Sequence, residues 1–459
     1  MVFVRSGRDD APRRPGASAA PRPTRRSLLG FPALAAGLTI LAPGVLTACG
    51  TRGSALEPDL HGRAERDRPG DPRRAGSTMQ TFVSRLLPAL DRHADNLVCS
   101  PLSAQIALAM VGIGAGGATR AQLEQAFGAD MEEVARAANT LEQLLDGVGP
   151  DTDQAGASDG PSPAVAALAD AAWMQKGLAV QETYLADLGR WFGTGVYTAD
   201  FAGSGDRASA RTRMNSWAKQ TTDGLITDII QDDTLDPGTA LVLLSALFLR
   251  AAWSRPLTPG SPSSFTRGDG TTVEVPLLGG TGHHWHEDSL CSAGVLATHG
   301  GEIAMVLVRP RKDLETLLDA WAEDPDLLAA LLDHVTTGER RTVNISMPAF
   351  DVAGGASLRP ALEHLGITDL FGPGADLSGI AEDALQVDDV LTKAVISVDQ
   401  HGIEAAAVSA AVVAPVAAPA EDPVDLVLDQ PFVFLAIETM SATPLVAGWV
   451  GDPTRTPDD

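Results

Sequence analysis

The eighteen residues 403–420 include nine Ala, four Val and two Pro, and Glu404 carries their only charge. Few elements accommodate such a stretch. Pro415 and Pro419 interrupt it, and it is too short to span a membrane as a helix. A disordered linker would be more polar. A buried helix over its first half would show small residues all round and no distinct packing face. An extended strand fits better. Small residues at alternate positions let a segment slide between two neighbouring strands without striking the layer beneath. Val and Ile supply strand propensity, and Gly402 just before gives the backbone freedom to swing. The segment reads as an exposed loop, kept out of a sheet until it is cut.

The chain has 459 residues, 44% of them hydrophobic, which suffices for at least one large core. Its 34 Lys and Arg against 59 Asp and Glu give a formal charge of −25. Such a surface repels phosphate backbones, so no nucleic-acid partner is expected. Residues 1–48 read as an export signal. Arg5, Arg8, Arg13, Arg14 and Arg22 precede Thr24-Arg25-Arg26-Ser27-Leu28-Leu29, and an apolar stretch follows over 31–46. The Arg pair resembles a twin-arginine signal. Leu46-Thr47-Ala48-Cys49 resembles a lipobox, in which Cys49 would carry the lipid and become the new amino terminus. Residues 49–76 are expected to form a flexible tether, polar and rich in Arg, Asp, Gly and Pro. The folded domain is expected over 77–455.

Within that domain, helical periodicity starts near Thr78. Ser100-Pro101 caps a second helix that is apolar nearly all round and belongs inside a core. Further helices are expected at 118–127, 206–221, 314–321, 327–334 and 358–365. The continuous apolar run 241–249 suits a central strand buried on both faces. Strand signals recur at 164–174, 271–276, 290–298, 303–309, 342–347, 395–399 and 432–438. Helices dominate the first third and strands the rest, which favours a single α+β domain.

No catalytic motif occurs in a setting that could use it. Gly-x-Ser-x-Gly occurs once, as Gly156-Ala157-Ser158-Asp159-Gly160, inside the Gly/Ser/Asp/Pro-rich stretch 147–163 with no apolar strand leading into it. There is no Gly-Asp-Ser-Gly and no His-Glu-x-x-His, so the chain is not expected to be an enzyme. His283, His284 and His286 beside Glu287 and Asp288 are the best metal candidate. Their spacing does not put two ligands on one helical face, and a surface loop is the simpler reading. No metal or cofactor is expected. Cys99 reads as a small buried hydrophobe, and a bridge from Cys99 to Cys291 is not expected.

Several short motifs, in order, carry a family resemblance. They are Asn96-Leu97-Val98-Cys99-Ser100-Pro101-Leu102-Ser103, Asn215-Ser216-Trp217 with Thr221 and Gly224, and Leu249-Arg250-Ala251-Ala252-Trp253. Leu365-Gly366-Ile367-Thr368-Asp369, Gly374-Ala375-Asp376-Leu377-Ser378-Gly379-Ile380, Lys393-Ala394-Val395 and Pro431-Phe432-Val433-Phe434 follow. Over residues 78 to 454 the chain resembles the serpins, protease inhibitors built on three β-sheets with eight to nine helices and an exposed reactive-centre loop.

The resemblance implies a mechanism. A serine protease attacks the loop, forms an acyl-enzyme, and is dragged across the inhibitor as the freed loop becomes a new strand. Gly402, Ile403, Glu404, Ala405, Ala406, Ala407, Val408 and Ser409 resemble the inhibitory hinge. Ile403 stands where Thr or Ser is usual, and Gln400 where Glu is usual. Ser100 and Ser103 match the shutter beneath the sheet. Ser245 is assigned to the place of the usual Asn and Ser346 to that of the usual His, and Trp253 underlies the insertion site. The usual loop length puts the reactive bond at Val416–Ala417. The inserted Glu421-Asp422-Pro423 leaves Val413–Ala414 and Ala417–Ala418 open as other registers. Small aliphatic residues there imply an elastase-like or subtilisin-like target with a small apolar pocket. The protein is expected to be an exported monomer, on the cell surface or secreted, touching membrane only through the lipid on Cys49. A non-inhibitory binding or structural serpin is the alternative.

Overall fold

The computed structural model describes residues 1–6, 56–149, 164–221, 224, 228–232, 234–403 and 422–456. Nine α-helices lie among them: α1 (Pro72–Ala89), α2 (Pro101–Gly112), α3 (Gly117–Phe127), α4 (Met131–Leu145), α5 (Glu182–Phe192), α6 (Ser204–Thr221), α7 (Leu314–Glu323), α8 (Asp326–Thr337) and α9 (Arg359–His364). α1 starts six residues before Thr78 because Asp71 caps it, accepting from the Arg74 amide at 2.9 Å, with Pro72 in the first turn. α2 is apolar on every side and every one of its residues is buried. Asp130 caps α4, a helix the sequence patterning did not single out.

The strands are β1 (Val2–Ser6), β2 (Asn96–Cys99), β3 (Val165–Gln175), β4 (Val196–Ala199), β5 (Thr239–Ala252), β6 (Thr258–Thr266), β7 (Thr272–Glu287) and β8 (Cys291–Ala297). They continue as β9 (Ile303–Pro310), β10 (Thr342–Pro348), β11 (Phe350–Ser357), β12 (Leu385–Val398), β13 (Gly402–Ile403), β14 (Val424–Val427), β15 (Phe432–Glu438) and β16 (Thr443–Val450). The main sheet runs β12, then β1 and β13, then β5, β3 and β4, with β11 on the far side of β12. The other strands form a nine-stranded network. The long strand β7 divides that network into two layers. Its first part pairs with β6 and β10, and its last residues pair with β8. The three expected sheets are therefore present, two of them sharing one strand.

Alternation decides which core each strand serves. On β5, Leu241, Leu243, Leu249 and Ala251 face the large core that surrounds α2. Val242 and Leu244 face the opposite side, with Trp173 and Tyr197, against Met214 and Trp217 of α6. That two-sided burial is why 241–249 is a continuous apolar run. Cys99 and Cys291 are free thiols buried in a third core, with Trp321 and Trp449.

Two parts of the expected domain layout change. The tether was expected to run to residue 76, but from Leu56 onward it is docked. Leu60 bridges Val196, and Asp59 accepts from the Thr198 amide at 2.7 Å. Arg66 reaches Asn139 at 2.9 Å and the buried Glu142 carboxylate at 2.5 Å. These contacts are polar and long-range, so composition alone reads as linker. The second change is at the start of the chain. Residues expected to open the export signal form β1, antiparallel to both β12 and β5. Val2 and Val4 are fully buried in the large core and Phe3 packs under α6. Each such side chain contributes on the order of 1.5–3 kcal/mol when buried. Arg5 then ion-pairs with Asp388 at 2.7 Å and with Asp236.

Candidate functional site

β5 and β12 run side by side but do not pair with each other over most of their length, which leaves a slot in the main sheet. β13 enters it from one end. Gly402 lies opposite Ala252, and Ile403 lies between Ala251 of β5 and Val398 of β12. Ile403 is only 1% exposed and points into the large core. Ile403, which stands where Thr or Ser is usual, is already inside the sheet. Gly402 is required for space rather than for swing. A Cβ there would stand 2.2 Å from the Ala251 carbonyl oxygen.

The turn before β13 is tied down by its own backbone. Asp399 Oδ1 accepts from the amides of His401 at 2.6 Å and Gly402 at 3.0 Å. Trp253, fully buried just past β5, donates its indole N–H to the Asp399 carbonyl at 2.9 Å. Its amide donates to the His401 carbonyl at 2.8 Å, and the Leu257 amide to that of Gln400 at 2.8 Å. Trp253 thus ties the end of β5 to the turn before β13. Gln400 makes its side-chain contact with the His401 ring, 2.8 Å away.

At the start of α2, Ser100 Oγ lies 2.9 Å from Ser103 Oγ and donates to the Leu445 carbonyl of β16 at 3.0 Å. Ser245 stands on β5 opposite Asp170 of β3. Burial pushes the Asp170 carboxyl up to about 7, against the opposing pull of the Ser245 hydroxyl and the Arg66 guanidinium. The assignment of Ser346 is corrected. It lies on β10, paired with Gly279 of β7 and Val427 of β14, in the nine-stranded network rather than the main sheet. On β12 the position level with Ser245 is 392, since both lie six positions before the pair that flanks Ile403. Thr392 directly precedes Lys393-Ala394-Val395, a motif that could have located it from sequence. Asp170 was not found from sequence, because its role depends on a cross-strand neighbour.

Glu404, Ala405, Ala406, Ala407, Val408 and Ser409, the bond Val416–Ala417 and Cys49 lie outside the described residues. The helix expected from Asn215-Ser216-Trp217 is α6, and it does cover the main sheet. The Trp217 indole donates to Tyr197 at 3.0 Å, and the Asn215 side chain both donates to and accepts from the Ile230 backbone.

The histidine cluster lies on β7, not on a loop. His284 has φ of 61° where the pairing with β8 is irregular, and its Nδ1 is 3.1 Å from the Gly338 carbonyl. His286 is 3.1 Å from Asp288 Oδ2 and close to the buried Cys291. Asp288 Oδ1 is taken by the amides of Leu290 and Cys291. These contacts close the turn between β7 and β8.

Comparison with known proteins agrees with this architecture. The model of the family described as serpin (serine protease inhibitor) matches residues 77–453. Serpin-Z2A of Oryza sativa subsp. japonica is 31% identical over 407 residues, covering 78% of this chain and 92% of its own. Iripin-3 of Ixodes ricinus is 32% identical, covering 80% of this chain and 91% of its own. Among solved structures, the thermophilic serpin tengpin in its native state superposes with a TM-score of 0.70 at 22% identity, over 86% of this chain and 97% of tengpin. Human thyroxine-binding globulin, solved as a complex with thyroxine, has a TM-score of 0.66 at 23% identity, over 84% of this chain and all of its own. Motifs, three sheets, slot and relatives converge: this chain belongs to the serpin family.

Proposed function

We propose that the chain inhibits serine proteases as a suicide substrate, through cleavage of the loop and its insertion between β5 and β12. The observation that carries this reading is the seating of Gly402 and Ile403 in the slot, with Ile403 buried between Ala251 and Val398. Insertion is a two-state change in which a strand gains backbone hydrogen bonds on both sides. The rest of the hinge, Glu404 to Ser409, carries no Pro and no charge after Glu404. The target is a protease with a small apolar pocket, elastase-like or subtilisin-like, cutting at Val416–Ala417. A trypsin-like target is disfavoured because no Arg or Lys lies between Gly402 and Asp429. The protein acts as a monomer outside the cytoplasm, with residues 1–48 as its export signal and a lipid on Cys49 as its membrane contact.

The test is incubation with pancreatic elastase followed by a denaturing gel. A band at the summed mass supports the trap, and mass spectrometry of the released carboxy-terminal peptide fixes the bond. Cleaved inhibitor beside fully active elastase would sink this reading. A second reading, a non-inhibitory serpin, is favoured by the presence of β1 in part of the slot that the loop would need.

A further inference from the structure

The slot between β5 and β12 is filled from both ends by different parts of the chain. β13 enters at one end, and β1 occupies the other. Both run antiparallel to both neighbours, so they lie along one line as two pieces of a single divided strand. The two neighbouring strands act as independent rulers. On β5, Ile403 sits opposite Ala251 and Val2 opposite Leu243, eight residues apart. On β12, Ile403 sits opposite Val398 and Val2 opposite Val390, again eight apart. A loop zipping in behind Ile403 would therefore bring Ala411, the eighth residue after it, to the position Val2 holds. Val412 and Val413 would then need the positions of Phe3 and Val4.

The side-chain pattern of β1 suits that position. Val2 and Val4 face the large core, as Ile403 does, and Phe3 faces the α6 side with Val242 and Leu244. The alternation continues that of the hinge, in which every second residue after Ile403 would point inward. Arg5 closes the end of the slot with its guanidinium on Asp236 and Asp388, one carboxylate from the turn before β5 and one from β12 itself. A cation is suited to that end, and the loop has none to offer at any register between Gly402 and Asp429.

We infer that Val2–Ser6 is an intramolecular plug: while it is in place, insertion of the cut loop stops about halfway, and release or removal of the amino-terminal segment opens the full slot. This rests on the reading of the loop as an inserting segment. It gives the amino-terminal residues a second task besides export, since a chain that still carries them could not complete the trap. Processing at Cys49 would remove the plug together with the signal.

The test separates insertion from inhibition. The loop is nicked with thermolysin, a metalloprotease that forms no acyl-enzyme with its substrate, and the single cut is verified by mass. Thermal unfolding is then compared before and after nicking for the full chain and for full-chain Val4→Asp, which puts a carboxylate into the core face of the slot. Arg5→Asp, at an exposed position facing Asp236 and Asp388, weakens the seating of β1 without substituting a core residue and serves if Val4→Asp folds poorly. The expected result is a clear rise in Tm on nicking in the variants and little or none in the parent. An equal rise in parent and variants overturns the plug, and so does the absence of a rise in every protein. A rise in the variants with no covalent elastase band in any of them leaves the plug standing and removes the inhibitory reading instead.

Discussion

Ile403 shows how one residue can look doubtful in sequence and settled in structure. A branched apolar residue where a small hydroxyl is usual suggests a slow first step, yet it fills core space between two strands and is buried. A charge at this position has no such place. Ile403→Arg is expected to unseat β13 and turn the protein into a substrate, lowering the fraction of elastase trapped at least tenfold while cleavage of the loop continues; densitometry of the covalent and cleaved bands measures the split. Asp170 makes a different prediction. Burial lifts its carboxyl from an ordinary 3.8 to about 7, with Arg66, Asp146 and the chain's first amino group also acting on it. The folded chain then keeps a proton that the unfolded chain releases above about pH 4. Stability contributed by this group is therefore lost as pH rises from about 4 to about 7, and is level beyond. The loss is on the order of 4 kcal/mol. Asp170→Asn should flatten it, read as urea midpoints at pH 5 and pH 8.

Among the elements, the segment 56–71 was hardest to read from sequence, because its contacts are polar and its partners distant. Arg66 illustrates this. Its guanidinium meets Asn139 and Glu142 of α4, and burial holds the Glu142 carboxyl well above the usual range while Arg66 pulls it down. Arg66→Met leaves that carboxyl buried without its cation, and a loss of about 2–3 kcal/mol is expected in a denaturant titration. By contrast, elements with strong local signals were legible. The apolar run that became β5, the Ser100 cap of α2 and the helix around Trp217 all lie where their patterns put them. Of the hinge, Gly402 and Ile403 are among the described residues, and both lie in the slot. Ser346 was misplaced because a lone Ser on an alternating strand carries no signal of which sheet the strand joins. β1 was hidden because five strand-forming residues beside an Arg-rich leader find their partners only across the whole chain.

At the scale of the molecule, the two cysteines of the body and the slot behave in opposite ways. Cys99 and Cys291 are sealed in a core, and burial pushes both thiols up to about 12. Both should resist iodoacetamide at pH 8 in the folded protein and react once it is unfolded, as peptide mass mapping of residues 99 and 291 would show. The slot, in contrast, is where the proposed insertion would take place. The seated pair Gly402 and Ile403 matters most for the timing of that change. In any zipper the first contact is the costly one, because it fixes chain for little return, and each later contact is cheap. Here the first contact exists before any protease arrives. On the proposed mechanism, the race between deacylation and capture would start past its nucleation barrier, and once the slot is clear its winner would be decided by how fast the remaining residues propagate.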